Sequence, residues 1–79
     1  MVKDITKKGG EKMRDWLKEA RLKQRLTQKQ MADALGITEA YYYLIESGRR
    51  QKNMDVSLAI KIGNTLGISI EEIITKEGT

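Results

Sequence analysis

The chain contains no cysteine and no histidine among its 79 residues. Without cysteine it can form no disulfide and no thiolate metal ligand, and without histidine it lacks the commonest general base and a frequent metal ligand. The sequence also offers no nucleophile paired with a base and no phosphate-cradling glycine loop. The composition therefore predicts a protein that is not an enzyme and that uses no metal and no cofactor.

Long apolar runs are missing as well. None approaches the length of a membrane span, and the first twelve residues, MVKDITKKGGEK, lack the apolar centre of a secretory signal peptide. We therefore expect a cytoplasmic protein with no membrane partner. With 79 residues there is room for one domain with a modest hydrophobic core, to which a second copy of the chain could add stability.

Positive charge is concentrated in the first part of the chain. Residues 1–29 hold ten lysines and arginines against four acidic residues, whereas residues 30–79 hold five against seven. The first ten residues contain three lysines and end in a Gly-Gly pair. They form either a plain disordered tail or a flexible basic arm that lies along DNA. The cations of the first helix are expected to form an ordinary solvated face. They are Lys12, Arg14, Lys18 and Lys23.

The most informative segment spans residues 27–48. Thr27 and Gln30 have the spacing of a capping box, which predicts a helix over 28–35. Three apolar residues then share one face of that helix, namely Met31, Ala32 and Leu35. Gly36 ends the helix because glycine readily adopts the left-handed conformation that other residues resist.

A second helix is predicted to start almost at once. Only Ile37 separates Gly36 from Thr38, which can cap a helix over 39–47 that Gly48 ends. Two helices joined by so short a turn must cross at a steep angle. The spacing therefore predicts a helix-turn-helix unit.

The outer face of this second helix carries side chains that the core does not need. At about 100° per residue, its inner side contains Tyr42, Ile45 and Glu46. The outer side presents an aromatic ring, an aliphatic side chain and a carboxylate, and three cations follow in a loop. This combination suits the major groove of DNA, where cations meet phosphates and the helix meets base edges. The outer residues are Glu39, Ala40, Tyr43, Leu44 and Ser47, and the loop cations are Arg49, Arg50 and Lys52.

Three consecutive tyrosines in this helix must point in different directions. Tyr42 is predicted to lie in the core, Tyr43 to face the groove and touch a thymine methyl, and Tyr41 to sit on the flank. Glu46 on the inner face is costly unless a cation meets it. We therefore expect Arg21 of the first helix to pair with Glu46.

Apolar spacing and caps predict three further helices, over 11–24, 55–66 and 70–75. Trp16 is expected at the margin of the core as partly buried packing, with contact to a partner as the alternative. The inward residues of the first and fourth helices are predicted to be Met13, Leu17, Ala20, Val56, Ala59, Ile60 and Leu66.

The last helix is short and unusually apolar. Ser69 and Glu72 have capping-box spacing, and Ile70, Ile73 and Ile74 follow. Three isoleucines exceed what one side of so short a helix can bury in a small bundle. We therefore expect a homodimer formed through the C-terminal helix.

Three spaced blocks carry a recognisable motif. They read R-x(5)-T-Q-x(2)-M-A-x(2)-L-G-I-T from residue 21, I-E-S-G-R from residue 45 and L-G-I-S-x-E-E-I from residue 66. In this order they resemble the Xre/Cro-type helix-turn-helix family of phage-lambda-like repressor DNA-binding domains, over residues 17–74. The resemblance implies an all-α, compact five-helix bundle of the lambda repressor type. It also implies sequence-specific binding of double-stranded DNA by a transcriptional regulator, in the form of a repressor, often as a dimer on a palindromic operator.

The resemblance also assigns roles to single residues. Gln28 matches a phosphate contact at the start of the second helix, and Arg21 with Glu46 matches an internal salt bridge. The base-reading positions fall on Glu39, Ala40, Tyr43 and Leu44. The expected phosphate contacts, with neighbouring residues included, are Thr27, Gln28, Lys29, Tyr41, Ser47, Arg49, Arg50 and Lys52.

The chain departs from the family pattern at several positions. Its base-reading positions lack the Gln, Asn, Ser or Arg that are usual there, so the operator sequence does not follow. Arg25 stands where glycine is common, which predicts a left-handed backbone at an arginine. Gly63 stands in a helix where alanine is usual, at a cost of about 1 kcal/mol.

The chain is thus divided into a flexible basic arm (1–10), a DNA-binding domain (11–75) and a C-terminal tail (76–79). A protein-interaction module, such as an antitoxin or a coactivator-like helix-turn-helix domain, is the alternative. It would bind a protein partner through the apolar surface of Ala40, Tyr43 and Leu44. The cations of the following loop favour DNA, since they suit phosphate and not an apolar partner.

Overall fold

Five α-helices follow one another along residues 13–78, which are the residues that the computed structural model describes. No strand occurs among them, so the predicted all-α bundle is confirmed. The predicted arm at 1–10, residues 11 and 12 of the predicted first helix, and Thr79 of the predicted tail lie outside the described residues. The helices are α1 (Asp15–Lys23), α2 (Gln28–Leu35), α3 (Glu39–Glu46), α4 (Val56–Leu66) and α5 (Ile70–Glu77).

Side chains that accept a hydrogen bond from a free backbone amide begin four of these helices. At α2 the Thr27 hydroxyl accepts from the Gln30 amide while the Gln30 side chain accepts from the Thr27 amide, so the predicted capping box is present. Gly36 then ends α2 with a left-handed φ of 74°. The other three caps are Thr38 for α3, Asp55 for α4 and Ser69 for α5. Local chemistry therefore sets both bounds of α2 and the start of α3 as the sequence predicted, while α3 ends at Glu46, one residue before the predicted end.

All five helices contribute to one hydrophobic core. Tyr42 and Ile45 of α3 are fully buried there, as are Leu17 of α1 and Met31 of α2. Trp16 and Ala20 are partly buried and pack against the core, as expected. The residues whose predicted burial is confirmed are Leu17, Met31, Ala32, Leu35, Tyr42, Ile45, Ala59 and Leu66.

The start of α1 differs from the prediction. The helix begins at Asp15, because Arg14 has the non-helical angles φ −88° and ψ 77° and its amide donates to the carbonyl of Glu46. Met13 therefore does not lie on the helix wheel, and it is 55% exposed, so its predicted place in the core is wrong. At the other end, Arg25 has the predicted left-handed backbone, with φ 59°.

The inward face of α4 was also predicted incorrectly in part. Val56 is 68% exposed and Ile60 is 48% exposed, whereas Leu58 and Ile62 are buried in their place. Apolar residues occur on most sides of this helix, so their spacing does not single out one face. Packing against the other helices decides which of them are buried.

The three isoleucines of α5 have different environments. Ile73 is buried, Ile70 packs against the core, and Ile74 is 63% exposed. The apolar excess that led us to expect a dimer is therefore smaller than predicted on this helix. The helix itself continues to Glu77, so residues 76 and 77, which were predicted as a tail, are helical.

Gly63 allows α4 to lie close to the turn before α5. A Cβ at this position would lie 2.5 Å from the carbonyl oxygen of Ile68 and 3.3 Å from Cδ1 of Ile73. The backbone oxygen cannot move without shifting the turn. Gly63 therefore lowers the helix propensity of α4, but close packing against the turn requires a residue without a Cβ at this position.

We expect Gly63→Ala to lower the free energy of unfolding by about 1 kcal/mol or more, because overpacking outweighs a helix-propensity gain of about 1 kcal/mol. Urea unfolding followed by circular dichroism measures the difference. Gly78→Ala is the matched control, since φ there is −83° and a Cβ would make only ordinary contacts. A Gly63→Ala protein that is more stable than the parent would show that α4 and the turn separate at little cost.

Within residues 13–78, no helix is long and apolar enough to cross a membrane. The same part of the chain holds no group of acidic side chains arranged to bind a metal ion.

Candidate nucleic-acid interface

The helix-turn-helix unit is built from α2, a short turn and α3. The Ile37 amide donates to the carbonyl of Ala32 at 3.0 Å, which closes the turn after Gly36, and the Thr38 hydroxyl accepts from the Tyr41 amide at 3.1 Å. The inner faces of both helices lie in the common core. This packing leaves the outer face of α3 on the surface of the domain.

The four predicted base-reading residues lie together on that surface, which we call the reading face (Glu39, Ala40, Tyr43 and Leu44). Glu39 and Ala40 are exposed, Tyr43 is 49% exposed and Leu44 is half-buried. With Gln28 from the start of α2, these side chains line one open groove. Its lining side chains are apolar except for the Glu39 carboxylate, the Tyr43 hydroxyl and the Gln28 amide.

The loop after α3 carries the three predicted cations, which we call the loop cations (Arg49, Arg50 and Lys52). All three are exposed. The amides of Arg49 and Arg50 both donate to the carbonyl of Leu44, at 2.9 and 3.2 Å, so the loop turns back on the end of α3. The backbone of Arg49 and Arg50 is thereby held against Leu44 of the reading face.

Gln51 fastens the same loop at a second point. Its side-chain amide donates to the Tyr41 hydroxyl at 2.9 Å, and its side-chain oxygen accepts from the Asp55 amide at 3.1 Å. Its own backbone is left-handed, with φ 57°. Nothing in the sequence pattern indicated this role, since both contacts join residues that no periodicity relates.

Glu46 is the centre of a buried polar network. Its carboxylate accepts from Arg21 Nε at 2.8 Å and from a second Arg21 nitrogen at 3.2 Å, so the expected ion pair is present and two-pronged. It also accepts from the Tyr42 hydroxyl at 2.7 Å and from the Gln28 side chain at 2.9 Å. Glu46 is 4% exposed and Arg21 is 7% exposed. The network therefore links α1, the start of α2 and the end of α3.

Electrostatics within the network keep this carboxylate ionised. Burial alone would raise the pKa of Glu46, but hydrogen bonds from Arg21, Tyr42 and Gln28 hold it below its ordinary value. The hydrogen bond to Glu46 raises the pKa of Arg21. Burial, followed by the hydrogen bond to Glu46, raises the pKa of Tyr42. At neutral pH the network thus contains one anion, one cation and a neutral phenol.

The other residues predicted to contact phosphate have varied surroundings. Lys29 is exposed, and its Nζ lies 3.5 Å from Oδ2 of Asp33 on the same helix. The exposed Thr27 uses its hydroxyl to cap α2, and Tyr41 is half-buried against the core. Ser47 is only 8% exposed and donates to the carbonyl of Leu44, so it offers little surface to a ligand.

Arg14 is buried, although the sequence predicted it on the solvated face of the first helix. It is 6% exposed, so that prediction is wrong. Its guanidinium donates to the carbonyls of Ile45 at 2.7 Å and Arg50 at 3.2 Å, and to that of Gln51. It also forms an ion pair with the Glu77 carboxylate at 2.8 Å. Most of these partners are backbone oxygens, which leave no trace in the sequence pattern.

Known helix-turn-helix proteins are similar to this chain in sequence. A family model described as helix-turn-helix matches residues 17–73. The uncharacterized HTH-type transcriptional regulator YqaF of Bacillus subtilis (strain 168) is 47% identical over 55 residues, which cover 70% of this chain and 70% of that protein. The uncharacterized HTH-type transcriptional regulator YqaE of the same organism is 39% identical over 61 residues, covering 77% of this chain and 51% of that protein. No solved structure matches the chain.

Proposed function

The chain belongs to the helix-turn-helix family, and on that premise we propose that it is a transcriptional regulator that binds double-stranded DNA in a sequence-specific way. The observation that carries the proposal is that the loop bearing the exposed cations is hydrogen-bonded through its backbone to Leu44 of the exposed reading face. A protein that reads DNA needs both elements on one surface, because base contacts specify and phosphate contacts position. Membership in this family also supports a binding role and not an enzymatic one.

In the proposed complex α3 enters the major groove. Ala40, Tyr43 and Leu44 present methyl, ring and aliphatic surface, which suits the C5-methyl groups of thymine. Glu39 accepts hydrogen bonds only, which suits the exocyclic amine of cytosine. The reading face therefore favours sites in which these two kinds of pyrimidine contact are combined.

The phosphate contacts lie on either side of this face. Arg49, Arg50 and Lys52 follow the end of α3 in the chain, while Lys29 lies in the first turn of α2. Gln28 contributes the second N–H of its side-chain amide, since the first donates to Glu46. We leave Ser47 out of the contact set because it is buried and already bonded.

Two finer features complete the proposal. A second copy would associate through α5, where Ile74 is 63% exposed. The two copies would present their α3 helices about 34 Å apart, one turn of DNA, which requires a palindromic site. Repression would follow from occupancy of such a site, and this would take place in the cytoplasm, where the sequence led us to expect the protein.

Selection of bound duplexes from a random pool tests the proposal. An enriched sequence supports specific DNA binding, and a palindrome among the enriched sequences supports the dimer. The reading face also has the apolar surface that an interaction module would use on a protein partner. Failure to retain any duplex at low salt would reject DNA binding and favour that module.

The loop cations should act on affinity and not on sequence preference. We expect Arg50→Gln to weaken binding to every duplex by a similar factor and to reduce the slope of log affinity against log salt by about one. Lys61→Gln is the charge-matched control, since Lys61 is exposed on α4 and belongs to neither the reading face nor the loop. Titrations at several salt concentrations measure both quantities. A changed sequence preference with an unchanged slope would instead make Arg50 a base-reading residue.

A further inference from the structure

We infer that Arg14 and Glu77 are positioning residues for DNA binding, which lie before the first and at the end of the last described helix and together hold the loop cations in place. The inference rests on the proposed function, and it gives a role to a cluster that the reading face and the loop do not explain. We call this cluster the clamp; it consists of Arg14, Trp16 and Glu77.

The clamp joins three parts of the chain that are distant in sequence. Arg14 precedes α1, Glu77 is the last residue of α5, and the carbonyls that Arg14 contacts belong to the end of α3 and the following loop. The Glu77 carboxylate accepts from Arg14 at 2.8 and 3.0 Å and from Trp16 Nε1 at 2.8 Å. The Glu77 carboxylate thus fixes the orientation of the Arg14 guanidinium.

The oxygens that Arg14 reaches lie where the loop cations are attached. Ile45 is in the last turn of α3, and the carbonyls of Arg50 and Gln51 are within the loop itself. The Arg14 amide also donates to the carbonyl of Glu46 at 2.9 Å. The Ile45 carbonyl also accepts from the Gly48 amide, whereas the carbonyls of Glu46, Arg50 and Gln51 accept their hydrogen bonds from Arg14. Loss of the clamp therefore loosens the segment that carries Arg49, Arg50 and Lys52.

Burial indicates that this arrangement is specific. Arg14 is 6% exposed, and its planar five-donor group fits several carbonyls and one carboxylate at once, which a lysine ammonium cannot do with the same geometry. A surface cation that only kept the domain soluble would need none of these partners.

Glu77→Gln separates positioning from general electrostatics. Removing an acidic charge makes the protein more cationic, which by itself strengthens binding to DNA. Loss of the clamp has the opposite sign, because displaced loop cations make fewer phosphate contacts. Glu71→Gln, on the same helix and exposed, makes the same charge change outside the clamp.

We expect Glu77→Gln and Arg14→Lys to weaken binding to all duplexes by about 3- to 30-fold and to lower the salt slope, with unchanged sequence preference. Glu71→Gln should bind as well as the parent or more tightly. The titrations are made at a temperature where circular dichroism shows every variant folded. A lower thermal midpoint with parental affinity and slope would make the clamp merely structural and overturn the inference.

A measurement without DNA keeps the inference separate from the proposed function. Hydrogen exchange of the Arg49 and Arg50 amides, which donate to Leu44, should accelerate in both clamp variants and not in Glu71→Gln. If these amides exchange faster in the clamp variants but the parent protein binds no duplex, the clamp does hold the loop and DNA binding is rejected. Unchanged exchange at these amides would reject the clamp, whatever the parent protein binds.

Discussion

Replacing Glu46 by alanine should lower the free energy of unfolding by about 3–5 kcal/mol, the usual result of removing one partner of a buried ion pair. The substitution leaves the Arg21 guanidinium buried without its counter-charge, and it also removes the acceptor of the Tyr42 hydroxyl and the Gln28 amide. A domain this small rarely has more than about 3–5 kcal/mol of stability from its core. We therefore expect the variant to be largely unfolded at room temperature, as measured by circular dichroism and urea titration.

Two controls show whether the charge or the hydrogen bonds matter. Glu19→Ala removes an exposed glutamate from α1 and should leave stability nearly unchanged. Glu46→Gln keeps the size of the side chain without the charge and should fall between the parent and the alanine variant. A parental unfolding midpoint for Glu46→Ala would mean that Arg21 finds water or another partner at no cost, and the network would then have no structural importance.

The lowered pKa of Glu46 also determines how the free energy of unfolding depends on pH. The pKa of Glu46 is lowered in the folded state, so its contribution to stability is present above the unfolded pKa of about 4.3 and is lost as the pH falls through the folded value. The parent should thus lose more stability than Glu46→Gln in this acid range.

The helix-turn-helix could be predicted because its signals are local. Thr27 and Thr38 cap helices through contacts three residues away, and Gly36 ends α2 through its own backbone conformation. Such features depend on adjacent residues and so can be found in the sequence. The start of α1 could not be predicted from local signals, because Arg14 is kept out of the helix by its contacts with residues 46, 50 and 77.

The candidate site divides in the same way. The reading face follows from helical spacing, since the inner positions of α3 must be buried and the outer ones are left. The pairing of Arg21 with Glu46 follows from the cost of a buried charge. The further bonds from Gln28 and Tyr42 to Glu46 depend on how α2 and α3 cross, which spacing alone does not determine. The fastening of the loop by Gln51 likewise needed the structure.

The second large effect concerns the bases that α3 reads. Once a preferred duplex has been selected, replacing its thymines by uracil should weaken binding about fourfold for each methyl group that contacts the reading face, from about 0.8 kcal/mol per buried carbon. With several such contacts in two half-sites, the loss would reach about 10- to 100-fold. Paired titrations of the thymine and uracil duplexes at fixed salt measure it.

The physical reason is that the reading face has few hydrogen-bond donors. Guanine and adenine are read best by paired donors from Arg, Lys, Asn or Gln, and Glu39, Ala40 and Leu44 carry none. A Tyr43→Ala protein supplies the control, because the penalty for uracil should shrink when a ring that covers the methyl is removed. Uracil duplexes bound as tightly as thymine duplexes would show that the apolar side chains only fill space, and specificity would then have to come from Glu39, the Tyr43 hydroxyl or the shape of the DNA.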